Sequence, residues 1–508
     1  MTGSLKPIEA WHPPAPGADA TGRVGFIIPG ADTRRSVDRI WVNDLEALRP
    51  PAARAALATT LANMARGGPH PQVDITGVDD GDDLIEAIVL TLYLQFKAPD
   101  VPVHIFVDQR RIHGEVYRLF AQAMSHPGRL LKTLDHVVFA RLHYLVGQQD
   151  HRRIERLAPQ LPIIERCADG DPRIARRLAE RLDVRKRNLQ LMTTRRCQLR
   201  CVYCPVDKRE ADLSSDHAFQ AIDLLLKGSR DRYRVDFAGG EPLLRKDWVR
   251  EVIEGSHRRA RELGKRDSYY LVTNCIELSE DFCRFLADYD VELEISIDGD
   301  EPSHNRNKIA VDRGINPYRA LVRNFERLRH YDIGYNAVLV FTPDTFPSLG
   351  ADLEHILSLG FRNIAINYAI GCHWTEEIIT QYVELIADFV DRYDMLSRGE
   401  EAPFFIKNLR YKSEPTVLNS ELMVDTDGSL HLLSEWQFEK GLRRRPPPWS
   451  YALGELSSID DVFFTKAQVY HLLYEVYRDD EGDTLALIHN NVETGLQVSR
   501  QLGQLLGG

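Results

Sequence analysis

The chain has 508 residues, with 75 acidic against 64 basic side chains for a formal net charge of −11, and it contains no apolar run long enough to cross a bilayer. That balance disfavours a general nucleic-acid surface, which relies on clustered Lys and Arg, and it excludes a membrane-spanning reading. Seven cysteines in such a length argue against a disulfide framework, and with no signal peptide in view they predict a reducing, cytoplasmic setting.

Residues 1–21 are rich in Pro, Gly and Ala with little periodicity, which predicts a disordered arm. From 22 to 185, strand-like VGFIIPG, RIWVND, VDITGV and VPVHIFVD alternate with helical stretches around 51–66, 82–96 and 112–126. That alternation predicts a separate α/β domain, whose role the sequence leaves open. Its acidic run Asp79, Asp80, Asp82 and Asp83 lacks the spacing of a calcium loop and reads as acidic residues favoured at a helix N-terminus.

The next segment, RCQLRCVYCP, carries Cys197, Cys201 and Cys204 at C-x3-C-x2-C spacing. Three thiolates can hold an iron–sulfur cluster by three of its irons and leave the fourth open to a small molecule. Structural zinc is the competing reading, but such zinc is normally closed by four ligands. No second C-x2-C or Cys/His pair follows, and Cys167, Cys275, Cys283 and Cys372 are scattered singly.

Through these residues the chain resembles the radical S-adenosylmethionine (radical SAM) enzymes, over roughly residues 188–395. The resemblance implies one [4Fe-4S] cluster on Cys197, Cys201 and Cys204, with S-adenosylmethionine chelating the fourth iron through its amino and carboxylate groups. It also implies that Tyr203, the aromatic residue before the last cysteine, lies close to the adenine.

Four further segments follow in the order that family has. VDFAGGEPLL (235–244) is a short apolar strand broken by Gly239-Gly240, and it resembles the family's GGEP motif. There the backbone at Gly239, Gly240 and Glu241 is implied to meet the cofactor's amino group, with Pro242 restricting the exit. YYLVTNCIELSE (269–280) and VELEISIDGDEPSHNRNK (291–308) read as strands with polar ends, and the likeness implies that Asn274, Ser296 and Asp298 face the cofactor's ribose and methionyl end or the substrate. Relatives carry Gly after Thr-Asn, where this chain has Cys275, and an Arg for the cofactor carboxylate, for which Arg306 and Lys308 are both candidates. FRNIAINYAIG (361–371) is a last strand, with Asn367 implied near the adenine. Helical stretches at 216–228, 246–264, 280–289 and 318–331 lie between. This βα alternation predicts a partial parallel barrel of (β/α)6 type, with its site at the C-terminal ends of the strands.

Beyond residue 395, LMVDTDGSLHLLSEWQFEK (422–440) and YALGELSSIDDV (451–462) are similar to the SPASM or twitch extension of peptide-modifying radical SAM enzymes. A cysteine for an auxiliary cluster normally follows the Asp-Gly turn there; Leu432-Leu433 stands here, and no cysteine occurs after Cys372. Residues 396–508 are therefore expected to form a small cluster-free region, with Glu435 and Trp436 facing the substrate cavity and an amphipathic tail around Leu496, Val498, Leu502, Leu505 and Leu506 packing on the core. Cys372, in GCHW, and Asp298 are the catalytic candidates, and for Cys372 a packing role is the simpler reading.

The resemblance implies a low-potential electron from flavodoxin or ferredoxin, reductive cleavage of S-adenosylmethionine and hydrogen abstraction from substrate by a 5′-deoxyadenosyl radical. The SPASM-like region favours a ribosomally made peptide undergoing crosslinking, epimerisation or a related side-chain change. The alternative is radical dehydrogenation, deamination or epimerisation of a sugar or small metabolite. A non-catalytic iron–sulfur or zinc sensor is the remaining reading.

Overall fold

The computed structural model describes residues 188–395 without interruption. It also describes 23–28, 39–42, 45–67, 72–78, 81–97, 101, 103–108, 130–168, 170–182, 404–410, 416–419, 421–432, 451–452, 457–459, 464–479 and 484–505. The proposed arm at 1–21, the helical stretch around 112–126 and the pair Glu435 and Trp436 lie outside these residues.

The chain divides into two compact units, one of residues 1–185 with 463–472 and one of residues 186–462 with 473–508. In the first, strands β1 (Arg23–Ile28), β2 (Arg39–Val42), β3 (Gln72–Val78) and β4 (Val103–Asp108) form a sheet in the order β1-β4-β3-β2. Val73, Ile75, Val103 and Ile105 are buried, as are Leu84 and Ile88 of the helix Gly81–Lys97. Asp82 and Asp83 occupy that helix's first turn, where its dipole favours them.

The second unit is built on one parallel sheet. Strands β5 (Asn188–Met192), β7 (Arg232–Ala238), β8 (Arg266–Thr273), β9 (Val291–Ser296), β11 (Tyr335–Phe341) and β12 (Asn363–Tyr368) lie side by side in sequence order, all parallel. The short β13 (Phe405–Ile406) continues the sheet beyond β12. On the opposite edge β14 (Leu422–Val424) pairs parallel with β5, then turns back through β15 (Ser429–Leu432) and β16 (Tyr451–Ala452). No pairing joins β12 to β5 among the described residues, so the barrel stays open.

Alternation explains the register. In β7, Tyr233, Val235 and Phe237 are buried against helices, while Arg234 and Asp236 face the other way. In β9 the buried Val291, Leu293 and Ile295 alternate with Glu292, Glu294 and Ser296. Three of the crossover helices start where the sequence caps them: Ser214, Ser279 and Asn316 accept from the backbone N–H three residues on, opening helices Ser215–Lys227, Glu280–Asp288 and Pro317–Leu328. Short right-handed βαβ connections of this kind bring every strand's C-terminal end to one face.

Strands β6 (Leu199–Cys201) and β10 (Lys308–Ala310) stand apart as an antiparallel ribbon, with Cys201 opposite Lys308. Neither this ribbon nor β11 is visible in the motif pattern of the sequence. The C-terminal helix Thr484–Leu505 packs on helix Glu376–Arg392 and buries Val498 and Leu502, as the amphipathic tail predicts.

Candidate active site

The cysteine loop leaves the end of β5 and is tied down on both sides. Cys197 and Cys201 pack with Leu199, Ile276 and Ala320, and Cys204 packs against Met192, Val206 and Met423. The Leu199 amide donates to Cys197 Sγ at 3.3 Å, and Asn274 Nδ2 approaches the same sulfur at 3.9 Å. Burial pushes the Cys197 thiol up to about 11, against the pull of Lys208, and raises Cys201 against the pull of Lys308. Binding to iron would displace those protons.

The donor set tests which metal group fits. One zinc ion would draw thiolates to within about 4 Å of one another, from bonds of ~2.3 Å in tetrahedral array. Among the described residues only Asp425, Asp427 and His431 bring three such ligand atoms within 4.8 Å of each other; the three cysteine sulfurs do not. Wider spacing suits a cluster in which each thiolate takes a different iron.

Gly239 and Gly240 press directly on this loop. Gly240 N–H donates to Thr194 O at 2.7 Å and Glu241 N–H to Arg196 O at 2.9 Å. A Cβ on Gly240 would stand 1.9 Å from Arg196 O, and Gly239 has φ +144°, so neither position admits a side chain without movement. These amides are thereby committed to the cysteine loop, which leaves carbonyl oxygens, the right partners for an ammonium group, as the backbone's contribution at this point. Pro242 is buried and opens the 3-10 turn Pro242–Arg245.

The Glu241 carboxylate has an internal role that the motif does not announce. It accepts from Leu243 N–H at 2.9 Å, Thr273 Oγ1 at 2.7 Å and Asn274 N–H at 2.8 Å, lacing the end of β7 to the end of β8. Burial raises its pKa even against these three donors. Cys275, where relatives have Gly, adopts φ +59° and is fully buried. A non-glycine residue in this left-handed region costs about 1 kcal/mol.

Asp298 sits past the end of β9 at the centre of a second network. Tyr203 donates its hydroxyl to Asp298 Oδ2 at 2.7 Å, Lys308 Nζ donates to the Tyr203 oxygen at 2.6 Å, and Lys308 Nζ lies 3.5 Å from Asp298 Oδ1. Val340 N–H also donates to Asp298 Oδ1, at 3.3 Å. Burial opposes the Lys308 charge, but Asp298 and Cys201 hold its pKa above the usual value. His304 accepts from Asp298 N–H through Nδ1 at 3.3 Å; burial and then Lys308 press its pKa well below the ordinary value, so it is a neutral structural ring. Of the two candidate cations, Lys308 is buried in this group. Arg306 is exposed and turned to Ser348 Oγ at 3.4 Å.

Ser296 ends β9 beside Val338, and Asn367 lies on β12 beside Val340, so both belong to the same C-terminal edge. Cys372 stands farther along, in a loop pinned by the C-terminal helix: Asn491 Nδ2 donates to Cys372 O at 2.7 Å and Asn490 Oδ1 accepts from Trp374 N–H at 2.8 Å. Burial raises its thiol.

Several participants escaped the sequence. Gln198 Nε2 reaches Asn274 Oδ1 at 3.4 Å. The fully buried Arg195, two residues before Cys197, forms a two-point ion pair with Asp425 of the Asp-Gly turn. On the lumen side of the sheet, Arg234 grips Asp236 with two bonds of 2.6 and 2.7 Å and lies over the Tyr270 ring, whose hydroxyl donates to Glu294 Oε2 at 2.5 Å. The only signal for these would have been charge at inward positions of otherwise apolar strands.

Residues 191–359 match the Radical SAM superfamily. The chain is similar to the uncharacterized protein MJ0907 of Methanocaldococcus jannaschii, 24% identical over 257 residues that cover 48% of this chain and 84% of that protein. It is also similar to the radical SAM cyclopropyl synthase TigE of Paramaledivibacter caminithermalis, 23% identical over 185 residues, 32% of this chain and 37% of that protein. Among solved structures, anSMEcpe with bound AdoMet is matched at TM-score 0.45 and 16% identity, over 57% of this chain and 79% of that one. The match to Streptococcus suis SuiB with its precursor peptide SuiA has TM-score 0.42 and 11% identity, over 60% and 71%. The chain therefore carries a radical SAM domain over residues 191–359. It is a radical SAM enzyme, of a family that uses a [4Fe-4S] cluster and S-adenosylmethionine, and it needs a reductant and a substrate. Among the described residues no helix is long and apolar enough to cross a membrane.

Proposed function

We propose that this enzyme modifies a ribosomally made peptide by removing a hydrogen atom from an unactivated carbon. The observation that carries the reading is the hairpin β14–β15. Its Asp-Gly turn follows the pattern of peptide-modifying relatives, and it is seated on β5 and locked to the cysteine loop by Arg195 and Asp425. Leu432 pairs with Leu422 inside it, where an auxiliary-cluster cysteine would otherwise stand, so one cluster serves the chain in this proposal.

Cys197, Cys201 and Cys204 would hold the cluster, and the carbonyl side of Gly239, Gly240 and Glu241 would receive the cofactor's amino group. The bound cofactors supply the 5′-deoxyadenosyl radical. Lys308, already charged and buried, would meet the cofactor carboxylate as a point charge, in place of the two-pronged contact an Arg would make. Asp298 and Tyr203 keep that ammonium in place, while Asn274, Ser296 and Asn367 would serve the ribose and adenine side. Arg234, Asp236, Tyr270 and Glu294 give the lumen a polar wall to orient the substrate, which is the protein's share of the chemistry. With one cluster, crosslinking or the carbon–carbon bond formation that the name of the cyclopropyl synthase relative adds would take two hydrogens from the peptide, one as an atom by the 5′-deoxyadenosyl radical and one as a proton whose electron returns to that cluster, whereas epimerisation would need a hydrogen-atom donor on the opposite face of the carbon.

Anaerobic reconstitution followed by S-adenosylmethionine and dithionite tests the first half: a cluster-loaded sample should release 5′-deoxyadenosine. Incubation with short peptides encoded beside the gene, read by mass spectrometry, tests the second. Turnover of a sugar or small metabolite with no change in any peptide would replace the substrate assignment.

A further inference from the structure

The lumen face of the sheet carries more negative charge than its own cations balance. Asp236 of β7 lies beside Tyr270 of β8, and Tyr270 beside Glu292 of β9, while their chain neighbours Val235, Leu271 and Leu293 are buried on the other side; Arg234 and Glu294, two residues along from Asp236 and Glu292, share the lumen face. Arg234 and Asp236 cancel one another through their two bonds. Glu292, Glu294 and Glu421 form no ion pair among the described residues. Neutral amides meet two of them: Asn336 Nδ2 donates to Glu292 Oε1, and Asn188 Nδ2 to Glu421 Oε1 at 3.3 Å. Lys407, the ammonium that acts on Glu294, stands 5.7 Å from the centre of the Tyr270 ring and pairs with none of the three. The imbalance shows at Asp236, whose carboxyl is pushed up to about 6 by burial, helped by Glu421 and Glu294, although Arg234 holds both its oxygens.

Of these carboxylates, Glu294 is the one held ready for a ligand. Tyr270 donates its hydroxyl to Oε2, and the Tyr270 ring is itself fixed, with the Arg234 guanidinium 5.0 Å from its centre. Oε1 accepts no hydrogen bond from any described residue. Burial raises the Glu294 pKa against the pull of Tyr270 and Lys407, so a bound peptide that removes more water would make the lone charge still less favourable. A cation donating to Oε1 supplies the missing counter-charge; an apolar group leaves it missing, and an acidic one adds repulsion. Depth fits as well. Glu294 lies two residues before Ser296 on the same face, about 6.6 Å deeper at the rise of a parallel strand. The four-carbon stem of a Lys sets its ammonium roughly 6 Å from its own α-carbon. A Lys whose head meets Glu294 therefore has its α- and β-carbons level with Ser296, on the C-terminal edge that Asn367 shares.

We propose that Glu294, oriented by Tyr270, selects a basic side chain, Lys or Arg, at the position of the peptide that this enzyme modifies. The inference rests on the peptide reading above and deepens it: the head group held at Glu294 decides which carbons of that residue stand at the C-terminal edge. Glu292 and Glu421 add attraction over a longer range, and the Arg234–Asp236 pair keeps the Tyr270 ring in place. No bond or proton changes at Glu294 itself.

The test uses the reconstituted full chain with S-adenosylmethionine and no reductant, titrated calorimetrically with synthetic peptides acetyl-Gly-Ala-Xaa-Ala-Gly-amide in which Xaa is Lys, Arg, norleucine or Glu. The Lys and Arg peptides should bind about tenfold or more tighter than the norleucine peptide, the worth of a charge-assisted hydrogen bond, and the Glu peptide should bind most weakly. Glu294→Gln keeps the shape and removes the charge, so it should bring the Lys and norleucine peptides within about twofold of each other, whereas a merely structural loss would weaken all the peptides together. Should that variant fail to fold, Tyr270→Phe, which frees the carboxylate, should cut the preference by about threefold or more. Equal binding of the Lys and norleucine peptides by the parent overturns the proposal and leaves the peptide reading intact. A preference that survives unchanged in Glu294→Gln or Tyr270→Phe also overturns it. Titration with n-butylammonium, the bare head of a Lys, separates the two readings: if the parent binds it, Glu294→Gln does not, and no peptide binds, the cation site is supported and the peptide reading fails. Binding of neither the peptides nor n-butylammonium at millimolar concentration overturns the proposal.

Discussion

Replacing Asp425 by Asn tests the reasoning about how the C-terminal hairpin serves the active site. Arg195 is fully buried and spends its guanidinium on both carboxylate oxygens of Asp425, with Nε 3.1 Å from Oδ1. An Asn offers one acceptor and no charge, so the buried guanidinium loses the carboxylate that balances it, at a cost of up to about 3–5 kcal/mol. The backbone of Thr194 and Arg196 carries the bonds from Gly240 and Glu241, so the cost falls on the cysteine loop itself. A loss of that size raises local opening by roughly a hundredfold or more. Hydrogen exchange across 194–204 and 422–425 should speed up by at least that factor, and iron retained after gel filtration should fall. The pair replacement R195M/D425L should recover most of the loss, because hydrophobic groups of similar volume substitute well for a buried ion pair. The pH dependence has a definite sign. Burial opposes ionisation of Asp425, yet the hydrogen bonds and charge of Arg195 hold its pKa below the ordinary carboxylate value. The stabilisation is therefore complete above the unfolded value of about 3.9 and is lost as pH falls through the lower folded value. Exchange in D425N that matches the parent, or a parent equally stable below that range, would refute the account.

Lys308→Ala should weaken S-adenosylmethionine binding by about tenfold or more, with partial rescue by Lys308→Arg, whereas Arg306→Ala should change it by no more than about twofold; equilibrium dialysis of the cluster-loaded protein compares the three. Gly240→Ala should abolish cluster retention, because its Cβ would fall 1.9 Å from Arg196 O; an iron content equal to the parent's would show that the loop can move aside. Cys275→Gly removes the strain at φ +59° but also a buried side chain, so denaturation midpoints should move little, as gains and losses of about 1 kcal/mol oppose each other. Cys372→Ala should leave the yield of modified product within about twofold; complete loss would make the thiol a reactant.

Much of the architecture was legible because local chemistry and global fold agree. The apolar strand segments 235–244 and 291–308 and the helical stretches at 216–228, 280–289 and 318–331 stand in the sequence as short-range patterns, and the structure opens those three helices behind caps at Ser214, Ser279 and Asn316. The ribbon was not legible, since β6 and β10 are three residues each and pair across more than a hundred positions with no periodicity to betray them. Choosing between Arg306 and Lys308 was equally beyond the sequence: both are cations near the end of one short helix, and only its orientation turns one inward and the other to Ser348.

By itself the sequence determined the chemistry available: three thiols at a spacing that leaves a metal group incomplete, a Gly-Gly where backbone must approach closely, and no cysteine after Cys372 in the region where an auxiliary cluster would be built. Those are properties of neighbouring residues, and covalent proximity carries them whatever the fold. Tertiary structure alone decided which groups meet: Glu241 spent on internal lacing, Lys308 held by Tyr203 and Asp298, Arg195 locked to a turn 230 residues away, and an aliphatic face left outside the cluster loop. Contacts over such separations depend on register and burial summed over the whole sheet, and no local pattern encodes that sum.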